Sequence, residues 1–132
     1  MTWDTETAVR TLWMEARGEP LAGMQAVSRV IWNRLRDGRW GHTLAAVCLA
    51  PMQFSCWDEH DKNRMIMARC TDDFPPFEPL RKIFTDAGTA PDLTGGAMWY
   101  YAPAGVIMAP HWAEAATLCG KFGSQLFYKD VK

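Results

Sequence analysis

Trp13-Met14-Glu15-Ala16-Arg17-Gly18-Glu19-Pro20 is the stretch on which the reading of this 132-residue chain turns. Upstream of it, Val9, Leu12, Trp13 and Ala16 fall at i, i+3, i+4 and i+7, the spacing of a helix with one buried stripe. Asp4 is placed to cap its start, and Gly18 and Pro20 end it. At about 100° per residue, Glu15 lies beside Leu12, at the border of the stripe rather than opposite it. The sequence therefore predicts a carboxylate held rigidly at a helix end and half-shielded from water. The break that follows leaves the space beside it open.

Outward from that segment, Met24, Val27, Val30, Ile31 and Leu35 share one face of a second predicted helix, about 21–35. Arg34 projects into the same face. It reads either as a side chain snorkelling from a helix end or as the partner of a carboxylate near the groove. After the loop 37–42, Thr43 caps a short helix to about Leu49, stopped by Pro51. Residues 52–57 read as extended, and 61–70 and 79–87 as helices separated by a turn-prone run, 71–76. A loop over 90–96 precedes a β-like run, 97–101. Pro110 as first residue predicts a last helix to Leu118, with Gly120 just past its end. Residues 122–128 close the chain as extended structure. No repeat or linker interrupts this order, so the expected architecture is one domain over 1–132, α+β and mainly helical, with a small β element.

Composition bounds the function. A chain of this length buries about two-thirds of its unfolded surface, and 48% hydrophobic with 22% charged residues is ordinary for a soluble globular domain. A net charge of −1 argues against nucleic acid as a partner, which requires a basic surface. The seven Trp residues are an excess that fits either a ligand groove or a Trp-rich core. Cys48, Cys56, Cys70 and Cys119 form no C-x-x-C pair and His42, His60 and His111 are widely spaced, so no metal site or cofactor is expected. The start of the chain has no basic, apolar export signal, which favours reduced thiols. The most apolar run, 97–112, is too short for a membrane span and carries Pro103 and Pro110. The expected setting is synthesis in the bacterial cytoplasm, with action on a target outside only after release.

Four ordered blocks carry a resemblance. They are Glu15-Ala16-Arg17-Gly18-Glu19-Pro20 with Gly23, Ala26-Val27 and Asn33-Arg34; Gln53-Phe54-Ser55-Cys56-Trp57; Thr94-Gly95-Gly96-Ala97 with Tyr100-Tyr101 and Pro103; and Gly123 with Phe127-Tyr128. Together, over about residues 5–128, the chain resembles the catalytic domain of the spore-cortex-lytic cell wall hydrolases (SleB/CwlJ type). The resemblance implies a lysozyme-like, lytic-transglycosylase-like fold. It also implies cleavage of the peptidoglycan glycan strand between N-acetylmuramic acid and N-acetylglucosamine, generally leaving a 1,6-anhydro end, with Glu15 as catalytic acid. The family often has His two residues before the closing Phe-Tyr, where this chain has Gln125.

The residues support that chemistry independently. Protonating a leaving oxygen near neutral pH needs a carboxyl whose pKa is raised, and partial burial does this. A two-carboxylate glycosidase needs a second acid across the bond. Glu19, Asp58 and Glu59 are nearest in sequence, and Glu19 reads better as support, ordering the turn or pairing with Arg17 or Arg34. A transglycosylase uses one carboxylate as acid and then base. Gln53 and Ser55 suit sugar hydroxyl and N-acetyl groups, or else stabilise their own loop. Tyr100 and Tyr101 alternate faces on a strand, so one faces the groove. Gly95 and Gly96 either let the backbone approach a sugar or only make the turn. Trp57 and Trp99 stack on sugars or pack in the core.

The expected partner is the bacterial glycan strand, met by a monomer. A bare catalytic domain without export signal or wall-binding module suggests a phage or prophage endolysin, released by a holin. The rival readings are an amidase, which would need a metal ligand set, a hydrolytic muramidase, and a glycan-binding domain without activity.

Overall fold

The computed structural model describes residues 2–50, 54, 57, 61–67, 70–71 and 73–132, with the side chains of 62–64 excepted. Among the described residues, five α-helices precede a three-stranded antiparallel sheet: α1 Trp3–Ala16, α2 Leu21–Asp37, α3 Leu44–Leu49, α4 Lys62–Met67, α5 Phe77–Thr89, then β1 Trp99–Tyr101, β2 Thr117–Phe122 and β3 Gln125–Lys129, in the order β1-β3-β2. The mainly helical α+β class is that expected. No described helix is long and apolar enough to cross a membrane.

The stripe read from the sequence is the core. Val9, Leu12 and Ala16 of α1 meet Ala26, Val27, Val30 and Ile31 of α2, all essentially without solvent contact. Phe77 and Phe84 of α5, Val47 of α3 and Phe127 of β3 close the space between them. Two polar residues within α1, Thr7 and Thr11, are buried without cost in unpaired groups: each hydroxyl donates to the carbonyl four residues back, both at 2.8 Å. The Trp57 indole N–H then donates to Thr11 Oγ1 at 2.8 Å, which holds this half-buried ring against the core.

Three expectations are corrected. The cap of α1 is Thr2, whose hydroxyl accepts from Thr5 N. Asp4 caps a different helix: its carboxylate accepts from the N–H groups of Leu44 and Ala45 at 3.3 and 3.2 Å, where the charge also meets the positive end of α3. Thr43 caps α3 as expected, accepting from Ala46 N. Second, α5 begins two residues before the expected 79, because Pro79 falls in the first turn, where a helix has no acceptor for its N–H.

Third, the helix expected over 110–118 does not form. That segment makes one 3-10 turn, His111–Ala113, and then enters β2. Pairing with β3 supplies the inner edge of Thr117–Phe122 with backbone partners, which outweighs the helical propensity of the Ala-Glu-Ala-Ala run. Gly120 lies opposite Phe127 beside a bulge and is no helix end. The two-residue turn Gly123-Ser124 joins β2 to β3, with Gly123 at φ +63°. Of the run expected as extended over 52–57, only Phe54 and Trp57 are among the described residues.

Candidate active site

Glu15 sits one residue from the end of α1, half-buried at the edge of the stripe, as its spacing requires. Gly18, at φ +86°, turns the chain away immediately after it, a conformation that favours glycine. Four influences act on its carboxyl. Burial is the largest and pushes it up, the nearby Tyr100 hydroxyl pulls it down, the negative charge of Asp61 raises it, and the positive charge of Arg34 lowers it. The outcome is a carboxyl pushed up from its ordinary 4.5 to about 7, half protonated at neutral pH.

Strand alternation decides between the two tyrosines. Tyr100 pairs with Phe127, and the two rings stack with centroids 5.2 Å apart, which presses the Tyr100 side chain toward the helices and Glu15. Tyr101 points to the other face, where it stacks on Tyr128 and meets Trp112 edge-on. Of the pair, Tyr100 is therefore the residue at the acid. Because its hydroxyl favours the ionised carboxylate, Tyr100→Phe is expected to raise the Glu15 pKa further. The alkaline limb of the activity profile should then move up by about one pH unit, the size of a charge-assisted hydrogen bond. A limb unmoved in a rate-against-pH series would contradict this placement.

Arg34 is buried, not snorkelling. Its Nε donates to the Met98 carbonyl at 2.8 Å, and its guanidinium lies over the rings of Trp40 and Phe54 at 4.8 and 5.0 Å. Burial lowers its pKa to about 10, so it remains a cation at neutral pH within electrostatic reach of Glu15. Trp99 packs edge-on against Trp40, with Arg39 over both rings. Cys48, also buried nearby, is pushed up to about 12 by burial and is no nucleophile near neutral pH.

Glu19 has a different duty from Glu15. Its Oε1 accepts from the backbone N–H and the hydroxyl of Ser124, at 3.0 and 2.7 Å, and so ties the α1–α2 turn to the β2–β3 turn. Of the two supporting roles open to Glu19, this strap favours ordering the turn over pairing with Arg17 or Arg34, and Arg17 lies over the Trp13 ring. A Cβ on Gly123 would stand 2.8 Å from Glu19 Oε1, so the glycine is what admits the carboxylate.

Sequence reading missed a second polar assembly. Asp92 Oδ1 accepts from Thr94 N and Thr94 Oγ1, and Oδ2 accepts from Gly96 N and Asn33 Nδ2, all at 2.7–2.9 Å. Arg29 completes it as an ion pair at 3.4 Å, and Asn33 Nδ2 also donates to the Ala97 carbonyl at 2.9 Å. With Gly95 and Gly96 at φ +65° and +105°, this assembly shapes the 92–97 loop and delivers β1, hence Tyr100, to the acid. The Gly96 N–H is engaged by Asp92, which favours the turn-making reading of that residue. Asp61, just ahead of α4, was not singled out in the sequence, and its charge bears on Glu15.

Gln53 and Ser55, and the acids Asp58 and Glu59, lie outside the described residues. Among the described residues, no three His, Cys, Asp or Glu side chains gather in a way that could hold a metal ion.

Residues 18–128 match the Cell Wall Hydrolase family. Curated relatives include the spore cortex-lytic enzyme of Halalkalibacterium halodurans, 30% identical over 100 residues, which cover 76% of this chain and 27% of the relative. That of Bacillus cereus is 27% identical over 126 residues, 96% of this chain and 44% of the relative. The chain thus spans less than half the length of these relatives. Among solved structures, the catalytic domain of the germination-specific lytic transglycosylase SleB from Bacillus anthracis superposes with a TM-score of 0.75 at 25% identity, covering 98% of this chain and 97% of that one. The SleB catalytic domain from Bacillus cereus gives 0.76 at 26% identity, covering 96% and 89%. The fold is accordingly that of these lysozyme-like catalytic domains.

Proposed function

The chain belongs to the cell wall hydrolase family, and on that premise we propose that it cleaves peptidoglycan glycan strands as a lytic transglycosylase, with Glu15 as its acid and base. The observation that carries the reading is the half-buried Glu15 carboxyl, pushed up to about 7 beside Tyr100. In the proposed cycle Glu15 first gives its proton to the oxygen bridging N-acetylmuramic acid to the next sugar, and the bond from C1 to that oxygen breaks. The resulting carboxylate takes the proton from the muramic 6-hydroxyl as its oxygen bonds to C1. The products are a new 4-hydroxyl end and a 1,6-anhydro end, no water is consumed, and Glu15 is again protonated.

The opposing influences on Glu15 fit both halves of that cycle. Burial keeps the proton on at the start, while the Tyr100 hydroxyl and the Arg34 cation stabilise the carboxylate midway. Glu19 is engaged by Ser124 and acts as support.

Asp61 favours a second reading. A second carboxylate near Glu15 is what a hydrolytic muramidase needs to activate water. Digestion of purified peptidoglycan in H2(18)O, followed by mass spectrometry, separates the two. Transglycosylation gives anhydro-muramic ends without label. Labelled reducing ends would transfer the assignment to hydrolysis and Asp61, and free stem peptides would reject both.

A further inference from the structure

We propose that Gln125 is a substrate-binding residue whose carboxamide takes the acetamido group of the N-acetylhexosamine seated beside Glu15. The proposal rests on the glycan-cleaving reading above. Gln125 is 8% exposed, and its Oε1 is fully buried with no hydrogen-bond partner. Turning the amide over would bury an NH2 group in the same place, so the end of the side chain needs a partner either way. A buried polar group without a partner opposes folding. Leu or Met would fill a similar volume without that cost, so the fold itself does not call for glutamine here.

The surroundings of Gln125 indicate what the partner is. Its chain neighbour Ser124 is strapped to Glu19, just past the helix end that carries Glu15. Two residues on, Phe127 stacks on Tyr100, whose hydroxyl acts on the Glu15 carboxyl. Side chains two apart on a strand share a face, and Tyr100 is the cross-strand partner of Phe127. Gln125, Phe127 and Tyr100 therefore lie on one face of the sheet, the face turned toward the acid. The terminal torsion of glutamine is soft, so the plane of the amide can adjust to a partner.

An amide end group is the chemical complement of an acetamido group. Each offers one N–H donor and one carbonyl acceptor in a plane, so the two pair with both bonds satisfied. A free hexosamine presents a cationic amine instead, and a neutral carboxamide gives a buried charge no counter-charge. Gln125 is thus expected to favour N-acetylated over de-N-acetylated glycan.

Binding is measured by calorimetry in the uncleaving Glu15→Gln chain, with a GlcNAc–MurNAc oligosaccharide and its de-N-acetylated counterpart as probes. Adding Gln125→Leu should weaken binding of the acetylated probe about tenfold, the size of a lost hydrogen-bonded pair, with no lower melting temperature. The de-N-acetylated probe should be little affected by that change. Gln125→Glu, which keeps the shape, should reverse the preference toward the amine probe, and it answers the question independently of how Leu is accommodated. Unchanged affinity in both variants, or equal losses on the two probes, overturns the role of Gln125 and leaves the catalytic reading standing. A parent Glu15→Gln chain that binds neither probe overturns both.

Discussion

Glu15→Gln is expected to stop peptidoglycan cleavage, by about 10³-fold or more, and to stabilise the protein at alkaline pH. The loss of rate follows from removing the group placed to give and retrieve the proton, a role worth about 10²–10⁴ by itself. The gain in stability follows from the same burial. Between its ordinary 4.5 and about 7, the folded chain holds a proton on Glu15 that the unfolded chain releases. Folding is therefore most favoured by this group at low pH and loses ground as pH rises through that window. Above 7 the deficit is complete, on the order of 3 kcal/mol as an upper value for a shift of this size. A neutral amide pays no such desolvation. The variant should melt several degrees above the parent at pH 8 and beside it near pH 4. Retained lysis, or a lower melt at pH 8, would remove Glu15 from its role.

The second large effect is expected at a residue that touches no substrate. Asp92→Ala should destabilise the fold by about 3 kcal/mol, since it strands Arg29, only 4% exposed, without its counter-ion, and frees four hydrogen-bond donors at once. For a domain whose whole stability is about 5–15 kcal/mol, this is a substantial fraction. Cleavage should fall with it at temperatures where the variant is still folded, because the 92–97 loop no longer delivers Tyr100 to Glu15. Burial pushes the Asp92 carboxyl up, but the donors from Thr94 and Asn33 and the Arg29 charge outweigh it and hold it below its ordinary value. Its stabilisation is thus present above the ordinary carboxylate range and is lost as pH falls through it. A denaturant titration showing a loss under about 1 kcal/mol, within the range of an ordinary surface change, would contradict the role of this assembly.

The parts of the site that were legible from the sequence are those whose causes are local. The i, i+3, i+4, i+7 stripe set α1 and with it the half-buried position of Glu15, and Gly18 ended the helix where a positive φ was needed. Thr43 capped α3 through a contact three residues away. What depended on distant partners was not legible. Asp4 had the spacing of a cap for its own helix, yet it serves α3 some forty residues on, because the packing of α1 on α3 brings those N–H groups to it. Residues 110–118 carry a helical composition, and only the pairing of β2 with β3 decides against it. Asp92 lies in an ordinary turn sequence, and nothing local announces that Arg29 and Asn33 converge on it. The Asn33-Arg34 pair was visible as a motif, but its purpose, to anchor the loop and β1 through Asp92, Ala97 and Met98, required the fold.

The most direct test of the central claim is the titration of Glu15 itself, followed by carbon NMR on glutamate-labelled protein and set beside the pH dependence of kcat/KM on peptidoglycan. A half-buried acid that starts the reaction protonated must titrate near 7, with activity falling on the alkaline side at the same pH. A Glu15 that titrates near its ordinary 4.5 while activity persists above pH 7 would contradict the account.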